Sequence, residues 1–142
     1  GSQLPMTVAS HFDAAGMASG SVPRATYLGV MVSLVVGVPL AVALCGRLAR
    51  FMPPRLVNLP HRQYWLAPER RAATTAELGR RTLVLSIAVL LFLCFVHWLV
   101  VQANLAPARQ LAQGTFYGGL ALFAGVVVVW VVMLQRRFGN VP

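Results

Sequence analysis

Residues Thr82 to Val101 read TLVLSIAVLLFLCFVHWLVV, an uncharged, leucine-rich run without a glycine. About 20 such residues, at a rise of ~1.5 Å each, cross a hydrocarbon core of ~30 Å, so the stretch predicts a membrane-spanning helix. Two more runs follow the same arithmetic. Tyr27 to Cys45 carries no charge, and Phe116 to Leu134 is dominated by Gly, Val and Leu. The composition agrees: 58% of the 142 residues are hydrophobic and 11% are charged, against about 25% charged in a soluble domain, and the mean hydropathy is +0.71. The expected fold is an all-α polytopic membrane protein with spans at about 27–45, 82–101 and 116–134.

The charges lie between the spans. The net charge is +9, yet the arginines sit in short runs beside apolar segments, which reads as membrane topology and not as a nucleic-acid face. Arg24 and Arg109 fall on one side of the spans and the other ten of the 12 basic residues on the other, in the segment from Arg47 to Arg81 and at Arg136 and Arg137. The positive-inside rule then predicts a membrane protein with loop 46–81 and the C-terminus in the cytoplasm and segment 1–26 outside. The chain opens on Gly1 rather than Met, and four spans are expected in a full-length protein.

Outward from the spans, FMPPRLVNLPHRQYWLAPERRAATTAELGRR at Phe51 to Arg81 is the densest polar stretch. Pro53 and Pro54 stop the preceding helix. Pro68 suits a helix first turn and Glu69 complements the dipole there, so an interfacial helix is expected from about 68 to 81, with Glu77 and Arg81 paired at i, i+4. Tyr64 and Trp65 suit the headgroup level as anchors. Exposed Tyr, Trp and Arg are also common at binding hot spots. Pro60, Tyr64, Trp65, Pro68, Glu69, Arg70 and Arg71 are accordingly candidates for a cytoplasmic partner surface.

At the other end, HFDAAG (His11 to Gly16) predicts a turn in which the Asp13 carboxylate accepts a backbone N–H and Gly16 takes a positive φ. His11 and Asp13 are two possible ligands, too few for a metal site. Within the spans, Gly29, Ser33 and Gly37 recur every four residues, and Gly114 with Gly118 and Ala121 with Gly125 make similar steps; such faces let another helix approach. Pro39 is expected to kink the first span. His97 is the unusual group: it either reaches the interface beside Trp98 or offers its imidazole to a tetrapyrrole, the one cofactor the sequence brings into view. Cys45 and Cys94 read as small buried hydrophobes.

The opening LPMTVASHFDAAGMASGSVPR resembles the extracytoplasmic segment of the DUF1648 domain, with His11, Phe12, Asp13 and Gly16 on the most recognisable positions. Ser21, Val22 and Pro23 stand where the pattern has an aromatic before the basic residue. LVNLPHRQYWLAPERR resembles a segment of bacterial proteins of the same group. The resemblance implies a first helix ahead of this segment and a distant relation to SdpI-like toxin-immunity and signalling proteins of the bacterial membrane. No H-E-x-x-H or G-x-S-x-G occurs, and no span holds an acid. A non-enzymatic protein of interaction, sensing or immunity type is expected, or alternatively an accessory subunit packed against a larger membrane complex.

Overall fold

The structure, a computed structural model, describes residues 4–141. Segment 1–26 thus begins outside the described residues. The chain forms β1 (Thr7–Phe12), β2 (Ala18–Pro23), α1 (Arg24–Leu48), a 3-10 turn (Pro54–Leu56), α2 (Arg62–Trp65), α3 (Pro68–Leu105) and α4 (Gln113–Phe138). The helices α1, α3 and α4 are each long and apolar enough to cross a membrane. Their outward side chains, such as Val32, Leu91 and Leu122, are exposed. Such a surface suits hydrocarbon, where only internally bonded backbone is tolerated.

The mostly helical expectation holds, with one addition. β1 and β2 pair antiparallel, with register shifts between Ala9 and His11 and between His11 and Phe12. The N-terminal segment is therefore a hairpin, which the all-α reading did not contain. A second difference concerns α3: the expected interfacial helix and the second span are one continuous helix of 38 residues. No Pro falls between Glu69 and Leu105, and the Thr82 hydroxyl, instead of capping a new helix, donates back across the junction to the Leu78 carbonyl at 2.9 Å.

Helix α3 is central and packs against both α1 and α4. On α1, the residues turned inward include Met31, Val35, Pro39, Val42 and Gly46, and on α4 Phe116, Gly119, Phe123, Val127, Trp130 and Leu134. Both series advance by three or four residues, the ~3.5-residue repeat of left-handed helix packing. α1 comes close to α3 where Gly46 faces Thr82: a Cβ on Gly46 would lie 2.6 Å from the Thr82 Cβ. Gly119 likewise leaves room for the Phe95 ring.

The contacts between the helices of this chain do not use the small-residue faces noted in the sequence. Gly29, Gly37, Gly114, Gly118 and Gly125 have open space where a Cβ would stand, and Ser33 and Ala121 are exposed. Among the described residues, nothing packs against these faces. Ser33 donates instead to the Gly29 carbonyl of its own helix at 2.8 Å. At Pro39, α1 continues as one helix, and the Ser86 hydroxyl of α3 donates to the Pro39 carbonyl at 2.6 Å.

Candidate functional site

The polar groups gather at two ends of the bundle. At the hairpin end, the Asp13 carboxylate accepts from the Ala15 N–H at 2.8 Å and the Met17 N–H at 2.9 Å. Gly16 takes φ 77°, and its N–H donates to the Asp13 carbonyl. This is the turn expected from the sequence. Both bonds go to Oδ1 of the carboxylate, while His11 lies on β1 with Nδ1 3.0 Å from the Ser10 hydroxyl. Among the described residues no group of three His, Cys, Asp or Glu side chains gathers to hold a metal.

The hairpin is fastened to the helices by Asn104, near the end of α3. Its Oδ1 accepts from the Ala9 N–H at 2.7 Å, and its Nδ2 donates to the carbonyls of Ala9 and Val100 at 2.9 Å each. The amide thus serves β1 as a third strand would, satisfying both backbone groups of a residue only 1% exposed next to the register shift. Val8 of β1 and Tyr27 of α1 pack with Leu4 and Val100 in one cluster, with Phe12 against its edge. The turn also meets the α3–α4 connection: the Leu111 N–H donates to the Gly16 carbonyl at 2.9 Å, and Gln110 and Gln113 donate to the carbonyls of Ala15 and Ala14.

Below this end lies His97. Its Nδ1 shares a hydrogen bond with the Tyr27 hydroxyl at 2.9 Å, and the two rings stack with centroids 5.7 Å apart. Through Nδ1 the imidazole thus makes a polar link between α3 and α1.

The arginine end is a folded module. Val57, Leu59, Trp65, Leu66, Leu78 and Phe138 form its core. Trp65 is 7% exposed and Phe138 fully buried. Their rings meet edge to face at 5.4 Å, and the indole N–H donates to the Phe138 carbonyl at 2.9 Å. Trp65 is therefore withdrawn into the module's core, where it holds the C-terminal tail. His61, at φ 47°, adds a donor from Nε2 to the Gly139 carbonyl at 3.0 Å.

The arginines brace this module. Arg71 Nη2 donates to the carbonyls of Arg50 and Met52 at 3.1 and 2.8 Å, tying the end of α1 to α3. Arg137 lies over the Trp65 ring at 4.8 Å and Arg70 over Tyr64 at 4.1 Å. Glu77 bonds both Arg81, at 2.8 Å, and Arg137, at 3.2 Å. Burial alone would raise the Glu77 pKa, but hydrogen bonds and charge from the two guanidiniums outweigh it and hold the carboxyl below its ordinary range. Of the candidate partner surface, Pro60, Pro68, Glu69 and Arg70 are exposed, Tyr64 and Arg71 are half-buried, and Trp65 is withdrawn. Sequence reasoning missed Asn104, Tyr27, Phe138 and Arg137. An amide beside Gln102 at the close of an apolar span was the available signal for Asn104.

Compared with family models, curated proteins and solved structures, the chain matches none.

Proposed function

We propose that this chain is a non-enzymatic, multi-pass protein of the bacterial cytoplasmic membrane that acts by contact, in sensing or immunity, with the hairpin outside and the arginine module in the cytoplasm. The observation that carries this reading is that a single helix enters both polar modules. α3 holds β1 through Asn104 at one end and the basic loop and tail through Arg71 and Glu77 at the other. A ligand that shifts the hairpin therefore pulls on an element that ends among the exposed arginines. The positive-inside rule supports the orientation, and the resemblance to the DUF1648 segment supports an extracytoplasmic hairpin. A non-enzymatic role is favoured because Asp13 serves a turn and Glu77 serves two arginines.

Photo-crosslinking side chains at His11 and at Arg70, in native membranes, test this. Discrete protein adducts from either position are expected, with the Arg70 pattern altered when the hairpin is occupied. A second reading, an accessory subunit, is favoured by the open faces at Gly29, Ser33 and Gly37 and at Gly114, Gly118, Ala121 and Gly125. It predicts adducts from Ser33 or Ala121 and none from the ends. Absence of adducts from all four positions refutes both. For orientation, an impermeant thiol reagent should label Gln110→Cys and spare Gln63→Cys in intact cells; the reverse pattern inverts the topology.

A further inference from the structure

Between the end of α1 and the first turns of α3 lies an open cleft of about 820 Å³, whose walls include Arg47, Arg50, Arg71, Arg80, Thr75 and Leu83. Its charge is one-sided: among the described residues, four guanidiniums and no carboxylate line it. Glu77, on the same helix, is engaged by Arg81 and Arg137, and Glu69 lies beside the rim at Pro68 without joining the lining. Four like charges around one concavity repel one another unless an anion is shared between them. Arginine is the side chain whose planar fork matches phosphate oxygens.

The cleft is partly preformed. Arg71 is fixed in its wall by its two bonds to the carbonyls of Arg50 and Met52, which leaves other N–H groups of its guanidinium for a ligand. Its depth is informative too. Arg47 closes the uncharged run of α1 and Arg80 precedes that of α3, whereas Leu83 belongs to the apolar run itself. The cleft thus straddles the level at which hydrocarbon gives way to headgroups. Basic pockets between helices at this level bind polyanionic lipid headgroups.

We infer that the cleft binds the headgroup of an anionic phospholipid carrying two phosphates, with acyl chain against Leu83. One phosphate bridges the fixed Arg71 and its neighbour Arg50, and the second is met by Arg47 and Arg80. The inference rests on the three helices spanning a bilayer and is independent of what the hairpin contacts.

Native mass spectrometry of the full chain in mild detergent tests it, with diphosphatidylglycerol, phosphatidylglycerol and phosphatidylcholine added at equal concentrations. Retention of the diphosphatidyl lipid at least about tenfold above phosphatidylcholine is expected, with phosphatidylglycerol well below it. Arg47→Gln with Arg80→Gln should lower retention roughly 30-fold, from about fivefold per arginine at a membrane surface. Arg136→Gln, at the same end but outside the cleft, should leave it unchanged. Both cleft arginines are exposed, so the fold should survive; should the double variant melt early, Arg50→Gln alone should still cost about fivefold. Equal retention of the three lipids overturns the inference, as does an equal loss in Arg136→Gln, which would mean diffuse surface charge. Inorganic pyrophosphate bound in place of any lipid would assign the cleft to a free phosphate compound and overturn the lipid source.

Discussion

Replacing Asn104 by Ala isolates the joint between the hairpin and the helices. The side chain makes three hydrogen bonds, two of them to Ala9, and Asn104 itself is only 6% exposed. Its loss leaves the Ala9 N–H and C=O without their protein partner. A buried orphan costs roughly 1–3 kcal/mol, so two cost roughly 2–6 kcal/mol. Water entering from the polar end offsets part of this, which places the effect at about 2–3 kcal/mol. At about 1.4 kcal/mol per tenfold, docking of the hairpin should weaken roughly 30- to 150-fold.

Other ties remain, because Arg24 Nη1 still donates to the Leu4 carbonyl at 3.1 Å and Leu111 still bonds Gly16. The hairpin should therefore loosen without unfolding the bundle. Hydrogen–deuterium exchange of the purified chain reads this directly: protection over Thr7–Phe12 should fall by the stated factor, while Val57–Leu66 at the far end keeps its own. Asn104→Asp retains the acceptor for the Ala9 N–H but has no donor for the Ala9 carbonyl, so it should restore part of the protection at most. Unchanged exchange of β1 in Asn104→Ala would refute the role given to this amide and remove the hairpin's grip on α3.

Three further outcomes follow from the packing. Phe138→Ala empties a fully buried site and should cost about 3–5 kcal/mol, seen as a lower melting temperature and, with Trp98 and Trp130 replaced by Phe, as red-shifted Trp65 emission; an unchanged spectrum would mean that the tail does not cover the indole. Gly46→Val should destabilise the bundle by about 1–3 kcal/mol through overpacking against Thr82, whereas Gly29→Val should leave the melting of the isolated chain unchanged; equal effects would contradict the face assigned to α1. Glu77, whose pKa is lowered in the folded chain from 4.5, contributes stability that is complete above that value and is lost as pH falls through the lower, folded one. The melting temperature should drop as the pH is taken below about 4.5, and Glu77→Gln should flatten that drop.

What was legible in the sequence was what depends on neighbours in the chain. The Asp13–Gly16 turn needs only an acceptor and a residue tolerant of positive φ, and the Pro68 helix start and the Glu77–Arg81 pair are equally local. The hairpin was not legible, because Thr7–Phe12 and Ala18–Pro23 include Gly20 and end on Pro23, and β1 is completed by a side chain from far along the sequence. Trp65 misled for a related reason. An aromatic ring with a polar tip suits a membrane interface or a buried joint equally well, and the Phe138 carbonyl that decides between them lies 73 residues away.

The small-residue faces show why membrane helices resist this kind of reading. In a soluble helix the inner face announces itself by being apolar; in α1 and α4 nearly every position is apolar, so polarity carries no direction. Gly29, Ser33 and Gly37 record where a backbone is open to close approach, without recording what approaches. The direction is carried instead by the recurrence of bulky groups, with Phe116, Phe123, Trp130 and Phe138 on one side of α4 and the lone Gly119 among them admitting Phe95. Read that way, small residues inside such a series mark contacts within the chain, and those outside it mark surface that the fold leaves open. Gly46 and Gly119 belong to the first class. Gly29, Gly37, Gly118 and Gly125 belong to the second, so the accessory-subunit reading stands on the second class alone and fails if adducts from Ser33 and Ala121 are to lipid only.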